Sequence, residues 1–175
     1  MRYMVRALFV LLLLSSPFTG QTGNWKKYSN TNGNFSVLFP GAPQDNVNKK
    51  DDKVDSHTLM AVEKPVYYTV VYTSMVDGQN VDDTSFNAFR DAVFKELPKC
   101  QVDTEQPASP VVDGFIGHSY RLSCAMTNAR LVMTGNLYWG KHYAYAVMAM
   151  FPDGITPPEA VKMFVESFSV VNSAQ

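Results

Sequence analysis

Three long strand patterns follow one another between Phe115 and Phe151 with very short links, and they limit the fold more than any other feature. In the first, Ile116, His118, Tyr120, Leu122 and Cys124 share one face, opposite Gly117, Ser119, Arg121 and Ser123, because strand side chains alternate. In the second, Leu131, Met133, Leu137 and Trp139 face one way and Arg130, Thr134 and Asn136 the other. The third, "HYAYAVMAMF", is apolar on both faces, which marks a strand covered on each side. Links this short suit antiparallel neighbours, since a parallel return needs a crossover of about a dozen residues or more. The patterns predict a meander over Phe115–Met126, Arg130–Trp139 and His142–Phe151, with the last strand central.

Upstream, "NWKKYSNTNGNFSVLFP" reads as a short strand, a polar turn and a strand from Phe35 to Phe39. Asn32-Gly33 is a turn signal because both residue types tolerate positive φ. Pro40 lacks the N–H a ladder would use, so the strand stops there. "PQDNVNKKDDK" reads as a polar, charged loop. Ser56–Glu63 and Val66–Ser74 then read as strands on either side of Lys64-Pro65, rich in Val, Tyr and Thr.

Two segments have helical spacing. In "DDTSFNAFRDAVFKELPK", Phe86, Phe89, Val93 and Leu97 form an apolar stripe, Asp82, Asp83 or Thr84 supplies the N-cap, and Pro98 ends the helix. In "PDGITPPEAVKMFVESFSVV", Thr156 is the expected N-cap, Pro157 takes the first helical position, and Val161, Phe164, Val165 and Phe168 are the buried stripe. The segment "DTEQPASP" between the first helix and the meander reads as a loop. The order strands, helix, strands, helix, with hairpin-length links, predicts an α+β fold. An antiparallel sheet of about six or seven strands is flanked by helices. No internal repeat appears, and residues 24–172 read as a single domain.

The N-terminus reads as a targeting segment. Arg2 and Arg6 precede the apolar run Ala7–Leu14, with Ser15, Ser16, Pro17 and Gly20 after it. Residues 1–22 are therefore expected to be a signal peptide, with an uncleaved anchor as the alternative. The apolar run is shorter than the ~20 residues a spanning helix needs. The expected location is periplasmic or extracellular, with no membrane attachment after cleavage. Removing Arg2 and Arg6 leaves 13 basic against 16 acidic residues. That balance lacks the basic character of a nucleic-acid binder. In an oxidising compartment Cys100 and Cys124 are expected to form a disulfide. The alternative is a pair of buried thiols acting as small apolar residues.

The stretch Trp25, Tyr28, Phe35-Ser36-Val37-Leu38-Phe39-Pro40, Gly41 and Pro43 resembles the start of a PsbP-like domain. Phe164 and Ser167-Phe168 resemble its last helix, and Gly114, Gly117 and Leu137-Tyr138 fit the layout between. The family includes the extrinsic PsbP subunit of photosystem II, the Ran-binding Mog protein and many small exported bacterial proteins. The resemblance covers almost all of the chain after the leader. It implies an α/β/α sandwich that serves binding or assembly without catalysis. It carries no catalytic, cofactor or metal motif.

The residues themselves offer weak chemistry. "GHSYR" at 117–121 begins like a nucleophile elbow but has Arg121 where the second glycine belongs, and it sits inside a predicted strand. His57, His118 and His142 have no metal-ligand spacing, and no C-x-x-C pair or phosphate-binding glycine loop is present. Asp51, Asp52, Asp55 and His57 could hold a cation, but a solvated loop accounts for them more simply. Tyr67, Tyr72, Tyr138, Tyr143 and Tyr145 could line a groove, although core packing accounts for most aromatics in such a domain. No catalytic, cofactor or metal residue is assigned. The expected function is an exported, non-enzymatic module with a protein partner. The alternative is a small-molecule or metal-binding protein with a pocket between sheet and helix, and a hydrolase comes third.

Overall fold

The computed structural model describes residues 24–50, 53–75, 78–97, 99–126, 129–155 and 159–171. The predicted signal peptide, Pro98, Thr156 and Pro157 lie outside them, as do Asp51 and Asp52.

In chain order the elements are β1 (Lys26–Asn30), β2 (Phe35–Phe39), β3 (Gln44–Lys50), β4 (Lys53–Glu63), β5 (Val66–Ser74), α1 (Asp83–Lys95), β6 (Cys100–Pro107), β7 (Phe115–Ala125), β8 (Arg130–Gly140), β9 (Tyr143–Pro152), α2 (Glu159–Glu166) and β10 (Ser169–Val170). The predicted single sheet is two. Seven strands run in the order β3-β4-β5-β9-β8-β7-β6, and a small sheet has the order β1-β2-β10. Every pairing is antiparallel. The fold is α+β and rich in sheet, as the patterns predict.

The meander β7-β8-β9 has the predicted order, and β9 is the middle strand of the seven. Its two apolar faces explain that place. Tyr145, Val147, Ala149 and Phe151 enter one core, and Ala144, Ala146 and Met148 enter the other. The first core is closed by the small sheet and α2, through Phe35, Phe39 and Phe164, and by Phe168, which lies in the link between α2 and β10 rather than on the helix. The second is closed by α1 through Phe86, Phe89 and Val93, with Leu97 just beyond the helix. Asp82 caps α1, its side chain accepting from the Ser85 N–H at 2.7 Å.

Two expected loops are strands instead. Most of "PQDNVNKKDDK" is β3 and the start of β4. Most of "DTEQPASP" belongs to β6. Both β3 and β6 are edge strands, and the residues of β6 after Cys100 are all exposed. An edge strand in water has no buried face to impose apolar alternation, so its sequence looks like a loop. The turn after β1 also differs in detail. The left-handed residue is Asn34, with φ 54°. Gly33 is needed for space, because a Cβ there would lie 2.7 Å from Phe35 and 2.9 Å from Tyr72.

Candidate functional site

A groove of about 410 Å3 lies between α2 and the sheet surface formed by β6, β7 and β8. Strand alternation supplies its floor. The apolar positions of β7 turn toward α1, which leaves Ser119 and Arg121 on the side of α2; Thr134 and Asn136 follow on β8. A bulge at Val102/Thr104 shifts β6 by one residue, and Thr104 and Gln106 line the outer wall. On α2, Val161 and Phe164 are buried in the core. Glu159, Lys162 and Glu166, spaced i, i+3 and i+7, give the other wall its charge.

Asn136 organises the floor. It is fully buried, and its side-chain amide donates to the Ser109 carbonyl and to the Tyr138 hydroxyl oxygen, each at 2.8 Å. Its carbonyl oxygen accepts from the Ser119 hydroxyl. Tyr138 in turn donates to the Pro110 carbonyl at 2.8 Å. Burial pushes the Tyr138 phenol up to about 12, opposed by its hydrogen bond with Asn136. Two buried polar side chains on β8 therefore hold the backbone of the β6–β7 loop. That loop carries Val111, which is 82% exposed.

The opposite face of the same strands holds a second polar cluster. Glu105 Oε1 accepts from the Tyr120 hydroxyl at 2.8 Å and lies 2.8 Å from His118 Nδ1. A carboxylate has only lone pairs, so the Nδ1–H is the donor there. Arg90 of α1 approaches the same oxygen at 3.9 Å, and Phe86 stacks on the His118 ring with centroids 4.7 Å apart. Burial, followed by the bond to Glu105, raises the Tyr120 phenol well above its ordinary value. The cluster fastens edge strand β6 to β7 and to α1.

Cys100 and Cys124, the one residue pair expected to be linked, are disulfide-bonded with Cα atoms 4.0 Å apart. The motif "GHSYR" lies within β7, and its Ser119 and His118 point to opposite faces, toward Asn136 and Glu105 respectively. His57 bonds Asp45 at 3.1 Å and stacks on Tyr72; the side chains of Asp51, Asp52 and Asp55, its partners in the expected acidic cluster, lie outside the described residues. Among the described residues no group of three or more His, Cys, Asp or Glu side chains is placed to hold a metal ion. Tyr72, Tyr138 and Tyr145 are core residues, and Tyr67 and Tyr143 are partly exposed.

Sequence reasoning did not single out the groove, although its signal was present. Ser119, Arg121, Thr134 and Asn136 are the polar sides of two strands whose other sides are apolar. A polar face that a helix must still cross is a candidate for a lined cleft. No protein-family model and no curated protein matches the chain.

Proposed function

We propose that the chain is an exported, non-enzymatic binding module of the PsbP-like type, and that its binding surface is the groove between α2 and β6–β8. The observation that carries this reading is the floor held by Asn136. A buried amide with three hydrogen-bond partners fixes both Ser119 and the β6–β7 loop before any ligand arrives. A surface set in advance loses less freedom on binding.

The sheet edges suit a partner less well. β3 carries Lys49 and a bulge at Asn48/Lys49, and β6 carries Asp103, Glu105 and its own bulge. Charges and bulges of this kind block strand addition. For the PsbP-like assignment, the support is that the motif residues from both ends of the domain meet. Phe39 packs on Phe164, Phe35 packs on Phe168, and the Leu38 N–H donates to the Ser167 hydroxyl oxygen at 2.8 Å. For export, the support is the disulfide. Among the described residues, no helix is long and apolar enough to cross a membrane.

The test is co-purification from the native cell envelope with the wild-type protein and with a Thr104→Arg/Gln106→Arg variant. Both positions are exposed, so the fold should survive while the groove is obstructed. A partner held by the wild type and lost by the variant is the expected result. An unchanged set of partners would contradict the assignment of the groove.

A further inference from the structure

The hydrogen-bond polarity of the groove floor is determined by its buried end. The Asn136 amide faces the Ser109 carbonyl, which only accepts, at 2.8 Å. Turning the amide over would place oxygen against oxygen there, so Nδ2 must point to Ser109. The other Nδ2 proton goes to the Tyr138 hydroxyl oxygen, whose own proton goes to the Pro110 carbonyl. Oδ1 is then left facing Ser119 and can only accept, which commits the Ser119 proton to Asn136. Ser119, half-buried in the groove floor, therefore presents only lone pairs to an occupant.

The walls extend this pattern. Glu159 and Glu166 add carboxylate acceptors from α2. Arg121 and Lys162 supply donors alongside. The Arg121 guanidinium is only loosely paired, with Nε 3.9 Å from Asp103. From this combination of acceptors and donors we infer that the groove takes a peptide-like ligand. An amide N–H of the ligand donates to Ser119 Oγ, and its carbonyls receive Arg121 and Lys162. The inference rests on the groove being the binding surface and adds the chemistry of the occupant.

The experiment compares triglycine with trisarcosine, which keeps the carbonyls and loses the amide N–H groups. Each is titrated into wild-type protein lacking its leader while the backbone amide resonances are followed by NMR. Triglycine should shift Thr104, Gln106, Ser119 and Thr134. Trisarcosine should bind weaker by roughly tenfold or more, the cost of one unmade hydrogen bond. Equal affinity for the two would overturn the donor requirement and leave the groove assignment standing. No shift at these residues with triglycine would overturn the peptide inference, and the Thr104→Arg/Gln106→Arg comparison would still judge the groove separately.

Discussion

Cys100 and Cys124 sit directly opposite each other in the β6–β7 ladder and are joined by a disulfide. The bond anchors one end of an edge strand whose remaining residues are all exposed. Little apolar burial holds β6 in place, so the covalent link matters more here than it would in a central strand. With the cysteines 24 positions apart in sequence, the chain-entropy estimate is about 3–4 kcal/mol. The Cys100→Ser/Cys124→Ser protein should keep its fold and melt roughly 6–12 °C lower. Thermal unfolding followed by circular dichroism checks this; an unchanged Tm would remove the stabilising role.

Asn136→Ala should destabilise the domain by about 2–4 kcal/mol, because it removes the buried side chain that joins the Ser109 carbonyl, the Tyr138 hydroxyl and the Ser119 hydroxyl. Urea denaturation measures the loss. Amide hydrogen exchange should also rise in residues 109–114, since the loop is held from beneath. A loss of stability with unchanged exchange in that loop would mean that Asn136 does not position it.

Gly135 lies at a close approach of β8 and β9. A Cβ there would fall 2.0 Å from the Val147 carbonyl oxygen and 2.8 Å from Met148 Cα, both backbone atoms that a side-chain rotation cannot move. Gly135→Ala should cost more than about 3 kcal/mol or prevent folding. Gly114→Ala has no neighbour within 4 Å and meets only the strain of φ +79°, so it should cost about 1–2 kcal/mol. Equal stability losses at the two sites would contradict the packing described for β8 and β9.

Tyr68 and Tyr138 have phenols pushed up to about 12, both chiefly by burial. Burial also raises Tyr120 and Tyr145 above the ordinary tyrosine range. A folded-state pKa above the unfolded one favours folding while the phenol is protonated. The contribution is complete below about pH 10, the unfolded value. It is lost as pH rises from there toward about 12. Stability should therefore fall over that window, with tyrosinate absorbance from these residues appearing together with unfolding. Ionisation of all the tyrosines near pH 10 in the folded protein would contradict their burial.

Much of the architecture was legible because burial writes itself into the sequence. β9 is apolar on both faces and is the middle strand; Phe86, Phe89 and Val93 recur at helical spacing and close one core. β3 and β6 were illegible for the converse reason. Their side chains meet water, and Gln106-Pro107 reads like a turn when no buried neighbour argues otherwise. Phe35 and Phe39 announced a strand, but nothing local told that β2 would leave the main sheet and pair with β10, more than a hundred residues away. The groove depends on the same kind of distant relation. Ser119 and Asn136 are visible as polar positions, whereas their facing Lys162 and Glu166 follows only from the packing of α2.

The groove assignment is tested most directly by a photo-cross-linking amino acid placed at Gln106 in the groove wall and, separately, at Lys95 at the end of α1. Both proteins are irradiated in the native envelope. The account predicts a discrete cross-linked species from position 106 that position 95 does not give, and its loss when Thr104→Arg is added. The same adduct from both positions, or an adduct from position 95 alone, would contradict the groove as the binding surface.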